Sequence, residues 1–148
     1  MVQNKKHIVV FLLSLFLVIP LSQIAQQDPG SAAKALKTKM KSMYIYQFAK
    51  NVYWPTAHTT GDFTIGIYGS EDLFNFLNTS FKDKSLGQQK IKFNLYKSAS
   101  EISECHLLFI SKEEEGFIPR VQKELKDKTL LVTEGKSLAE TGSMINFV

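Results

Sequence analysis

Cys105 and His106 stand side by side in the segment "CHLLFIS", the one place where a thiol and an imidazole invite a nucleophile–base reading. The surrounding residues argue against it. A near-continuous apolar run marks a strand buried on both faces, and neighbours in a strand point to opposite sides. Cys105 is therefore expected to pack as a small hydrophobe. A second lead, "GIYGSED", carries Gly66 and Gly69 from a strand into a helix, the layout of a phosphate-binding loop. It lacks both the Gly-x-Gly-x-x-Gly and the Lys-Ser/Thr signatures. Glu71 and Asp72 also place negative charge at the helix start, where an anion needs positive potential. Ser70 as a plain helix cap explains the same residues. Glu113, Glu114 and Glu115 suit a solvated loop, and no Gly-x-Ser-x-Gly elbow is present. His58 and His106 beside a lone cysteine fall short of the three or four convergent ligands that zinc requires. No enzyme, metal or cofactor is expected.

Two sets of residues suit binding rather than catalysis. The stretch "YIYQFAKNVYWP" gathers Tyr44, Tyr46, Phe48, Tyr53 and Trp54 into one helix end. Helical spacing assigns Tyr44, Phe48 and Val52, with Ile45 and Ala49, to a core face. Tyr46 and Tyr53 fall away from that face, and Trp54 lies past the helix end. With Phe76, which lies off the apolar stripe of the next helix, these are the candidate partner-binding residues, since exposed aromatics are enriched at interface hot spots. Packing of the aromatics against a neighbouring loop is the alternative. The second set is a candidate small-ligand rim of Ser70, Ser111, Lys112, Thr133 and Glu134. It rests on fold-level analogy, because parallel α/β sheets bind ligands beyond the carboxyl ends of their strands.

These residues need elements to hold them. A helical pattern runs from about Ala33 to Val52 and is stopped by Pro55. Its first half sets Leu36, Met40 and Met43 on one side and Lys34, Lys37 and Lys41 roughly opposite. "FTIGIYGS" reads as a strand, and Leu73, Phe74, Leu77 and Phe81 form a second helical stripe. In "KIKFNLY", apolar residues alternate with Lys90, Lys92 and Asn94, a half-wet strand with lysines suited to edge protection. After "CHLLFIS" come a helix with Pro119 in its first turn, the strand "TLLVT", a helical turn near Ser137 to Glu140, and the strand "SMINFV". Alternation of strands and helices predicts an α/β fold, a single domain with a largely parallel sheet of about five strands covered by helices.

The amino-terminal residues 1–25 read as a cleavable export signal. Lys5 and Lys6 precede the apolar run from Ile8 to Leu21, which is too short for a membrane span and ends near Ala25. Residues 26–32 read as a linker and 33–148 as the domain. Loss of the leader leaves a net charge of about +2, against the strong basic excess that nucleic-acid binding requires. Cys105 alone excludes an intrachain disulfide even in a compartment that would permit one.

The ordered set "YIYQFAKNVYWP", "FTIGIYG", "CHLLFIS", "TLLVTEG" and "GSMINFV" resembles the YfiR family of exported bacterial proteins, from about Lys39 to Val148. The resemblance implies a periplasmic, non-enzymatic regulator. Its partner would be the periplasmic part of an inner-membrane diguanylate cyclase, or of a sensor kinase, with effects on cyclic di-GMP and biofilm formation. A homodimer is left open. The namesake type is stabilised by disulfides, which one cysteine cannot reproduce, so redox control is not expected here. Family members also continue past the Asn-Phe-Val strand with a further strand and a closing helix, so the resemblance implies a shortened carboxyl end at Val148.

Overall fold

A computed structural model describes residues 28–55, 59–125, 128–136 and 138–148. The expected leader, His58 and Ser137 lie outside the described residues. Contacts divide the chain into Met1–Ala32 and Ala33–Val148. The first helix, α1, spans Pro29–Asn51. It begins ahead of Ala33, where the apolar spacing starts, because a proline is already shaped for a helix's first turn and has no N–H to strand there. The remaining order is β1 (Phe63–Tyr68), α2 (Glu71–Phe81), β2 (Ser85–Leu86), β3 (Gln89–Tyr96), β4 (Leu107–Ile110), α3 (Ile118–Glu124), β5 (Leu130–Glu134) and β6 (Ile145–Phe147). Short 3₁₀ turns lie at Ala99–Glu101, Lys112–Phe117 and Leu138–Thr141.

The strands form one six-stranded sheet in the order β2-β3-β1-β4-β5-β6. Every pairing is parallel except that of β2 with β3. The class is α/β. "KIKFNLY" is not an edge: β1 flanks it on one side, and the two-residue β2 folds back on the other, pairing Ser85 with Lys90 and Leu86 with Gln89. The edges are β2 and β6.

One face of the sheet buries Phe63, Ile65, Ile67, Ile91, Leu107, Phe109 and Val132 against Ile45 and Ala49 of α1 and Leu73 and Leu77 of α2. The other packs Tyr68, Tyr96, Cys105, Leu108, Ile110 and Leu131 against Ile118 and Val121 of α3 and against Leu138. Gly66 in β1 makes the second layer possible. A Cβ there would stand 2.6 Å from the Tyr96 ring and 2.9 Å from Leu108.

Helix α1 is rotated relative to its apolar spacing. Its buried residues are Ser42, Ile45 and Ala49. Tyr44, expected in the core, is 51% exposed, and Leu36, Met40 and Met43 are exposed as well. Small side chains decide the matter: Ser42 and Ala49 let the helix backbone settle close to the sheet. The Ser42 hydroxyl donates to Thr38 O at 2.8 Å, so its burial leaves no polar atom stranded.

Candidate functional site

Helix α1 packs on the first face, and its middle and its carboxyl end contribute to cavities at opposite ends of the parallel strands. At the amino end of β1, Tyr46, Tyr53 and Trp54 line a groove of about 520 Å³ together with Lys50, Phe63 and residues of the β2–β3 hairpin. The three differ in how they are held. Tyr46 stacks on Phe81 of α2 with ring centroids 4.6 Å apart. The Trp54 indole donates to Ala49 O at 2.8 Å, capping the end of α1. It also meets Phe63 edge-on at 5.0 Å. Tyr53 is 87% exposed. Phe76 is half-buried on α2 and lies outside this groove.

The carboxyl ends of the strands divide the ligand-rim residues. Lys112 and Glu134 line a pocket of about 630 Å³ with Lys37, Lys41 and Tyr44 of α1 and with Phe147. A half-buried ion pair, Lys41 Nζ to Glu134 Oε2 at 2.7 Å, crosses it. The aromatic wall comes from Tyr44 and Phe147, whose ring centroids lie 6.3 Å apart, and Phe48 packs against both rings outside the lining. Ser70, Ser111 and Thr133 are not brought into it. Ser111 is 2% exposed, and Thr133 is fully buried. The Thr133 hydroxyl donates to Ser143 Oγ at 2.7 Å and lies 3.0 Å from Asn146 Oδ1. Asn146 Nδ2 in turn donates to Gly135 O at 2.7 Å, and Ser143 Oγ donates to Ile145 O at 2.7 Å. This network joins β6 to β5, which gives the polar letters of "TEG" and "GSMINF" a structural task.

The strand order reverses at β1, so the crevice beyond the carboxyl ends of β1 and β4 is where a doubly wound sheet would hold a phosphate. Here it is filled. Gly69 has φ +79, and a Cβ on it would run into Ser111 Oγ and the Glu114 side chain. Burial, aided by the Glu114 carboxylate, pushes the Tyr68 phenol up to about 12. Glu113 sits below the ordinary carboxylate range, chiefly because its own backbone N–H bonds to it. A carboxylate-rich, plugged crevice repels the anion that the glycine spacing suggested.

Cys105 and His106 diverge. Cys105 Sγ lies under Gly66 on the second face, where burial pushes the thiol up to about 12. His106 stacks on Phe63 at 4.3 Å on the first face. Its Nδ1 accepts from the Thr64 N–H at 3.1 Å. A neutral thiol on one side of the sheet and an imidazole on the other make no nucleophile–base couple. Among the described residues, no group of three or more His, Cys, Asp or Glu is placed to hold a metal, and no helix is long and apolar enough to cross a membrane.

The sequence reading missed Lys41, Tyr44 and Phe147 at the rim, and Lys50 and Leu86 in the groove. All depend on where α1 and the hairpin dock, which no local pattern announces. Comparison with known families decides the assignment: residues 38–148 match the family described as YfiR/HmsC-like. The chain belongs to the YfiR/HmsC-like family. Proteins of this family are periplasmic regulators rather than enzymes. No curated protein and no solved structure matches the chain significantly.

Proposed function

We propose that this YfiR/HmsC-like chain is an exported, non-enzymatic regulator. In this reading it binds the periplasmic part of an inner-membrane diguanylate cyclase or sensor kinase and modulates cyclic di-GMP or related signalling. The observation that carries the surface assignment is the groove holding Tyr46, Tyr53 and Trp54. Trp54 is fixed by a hydrogen bond and two rings, while the adjacent Tyr53 stands almost fully in solvent. A rigid aromatic floor beside a free aromatic is the arrangement of an interface anchor awaiting a partner. Tyr53→Ala should weaken capture of the partner's periplasmic domain at least about tenfold with the fold intact. Unchanged capture by a folded Tyr53→Ala protein overturns this choice of surface.

A second reading has its own support in the rim pocket. Its volume, aromatic wall and paired charges suit a small amphoteric ligand. A thermal-shift screen of periplasmic metabolites tests it, because a ligand that binds only the native state raises the melting point. Lys41→Met should abolish any shift that the pocket produces.

A further inference from the structure

Helix α1 is apolar on two faces, and the domain covers one. Opposite Ser42, Ile45 and Ala49, the side chains of Leu36, Met40 and Met43 are 58%, 48% and 51% exposed. Residues three and four apart share a helix face, so these three form one continuous stripe. Lys37 and Lys39 fall on either side of it. From Pro29 to Asn51 the helix holds five lysines and no aspartate or glutamate. Asp72 takes up Lys34 and Glu134 takes up Lys41. Among the described residues, Lys37 and Lys39 form no ion pair within the domain.

We infer that this outer face of α1 docks on an anionic phospholipid surface. An apolar stripe bordered by cations is how a helix lies in the plane of a bilayer interface, its apolar side chains inserted and its lysine stems reaching up to the phosphates. The composition separates a lipid surface from an acidic protein. Interface cores on proteins favour arginine and are depleted in lysine, whereas the cations of this face are lysines alone. Lysine supplies point charges, which suit a fluid array of headgroups better than fixed carboxylate geometry. Docking would hold the domain against the membrane independently of the partner bound in the groove.

The test is a site-specific contact measurement on the protein as the cell delivers it. Met40→Cys gives an exposed thiol that an environment-sensitive fluorophore labels in preference to buried Cys105. Asn78→Cys, on the exposed side of α2, serves as the control site. With phosphatidylglycerol-containing vesicles the label at position 40 should shift to the blue and be quenched by nitroxide lipids. The label at position 78 should not respond, which separates contact by this face from tethering by any other segment. Lys37→Gln with Lys39→Gln should weaken the response roughly tenfold or more, and added salt should reverse it. These positions are exposed, so an unchanged melting curve verifies the fold. The inference is overturned if position 40 stays silent, if it responds equally to pure phosphatidylcholine, or if the lysine changes leave it unaltered. A silent position 40 that an acidic protein nevertheless protects would assign the face to that protein.

Discussion

Tyr53 and Trp54 are neighbours in sequence and opposites in environment. Trp54 closes α1 through its indole N–H and packs edge-on against Phe63 and His106. Trp54→Ala should therefore destabilise the domain by about 3 kcal/mol, read as a shifted urea midpoint. Trp54→Phe, which keeps most of the ring contact and drops the hydrogen bond, should cost only about 1 kcal/mol. Tyr53→Ala should move stability by no more than about 0.5 kcal/mol, because its side chain stands in water. Cys105 has a matching contrast between states. Buried and neutral, it should resist iodoacetamide at about pH 8 in the native protein and react readily in guanidinium. Fast labelling of the native state would contradict the placement of its thiol beneath Gly66.

At the scale of elements, β6 shows what the short polar residues of a strand-and-turn motif can do. It has three residues and one paired edge, yet Thr133, Ser143 and Asn146 tie it to β5. Asn146→Ala removes a donor and an acceptor from that network and should destabilise the domain by about 2 kcal/mol. Hydrogen exchange should show β6 opening before the central strands. The sheet itself was legible: "CHLLFIS" reads as a doubly buried strand and is one, and the alternation in "KIKFNLY" places Ile91 inward and Lys90 and Lys92 outward. The setting of α1 was legible only in part. Periodicity places Ile45 and Ala49 in the core, where they lie, but it places Tyr44 with them, and that side chain is 51% exposed. Ser42, fully buried beside them, carries no hydrophobic signal that could have marked it. The rim pocket shows the same limit. Lys112 and Glu134 could be placed from strand order alone, whereas Lys41 and Tyr44 reach it only because α1 crosses above them.

For the whole molecule, two buried acids set an alkaline limit. The Cys105 thiol and the Tyr68 phenol are both pushed up to about 12 by burial, from ordinary values of 9.0 and 10.0. Well below 9.0 both groups are protonated in the native and unfolded chains alike, so neither makes stability depend on pH there. As pH rises through 9.0 and then 10.0 the unfolded chain loses protons that the native state keeps, so stability falls until the native groups also ionise near 12. Urea midpoints measured across this range should decline, and Cys105→Ala should remove the earlier part of the decline. A flat profile would mean that these side chains reach water in the native state.

The position of β1 has a consequence for how the molecule is assembled in time. It is the first strand to be synthesised and lies inside the sheet, between β3 and β4, both of which are made later. A chain emerging amino end first must hold "FTIGIY" unpaired along one edge until Tyr96 has followed and along the other until Ile110 has followed. Arrested chains that end before Leu107 should thus be cut readily by protease and should need a holdase. Resistance should arrive in one step once β4 has emerged, rather than growing with length. Vectorial synthesis therefore imposes an obligatory waiting period on this topology, during which an apolar strand destined for the middle of the sheet stays open along an edge.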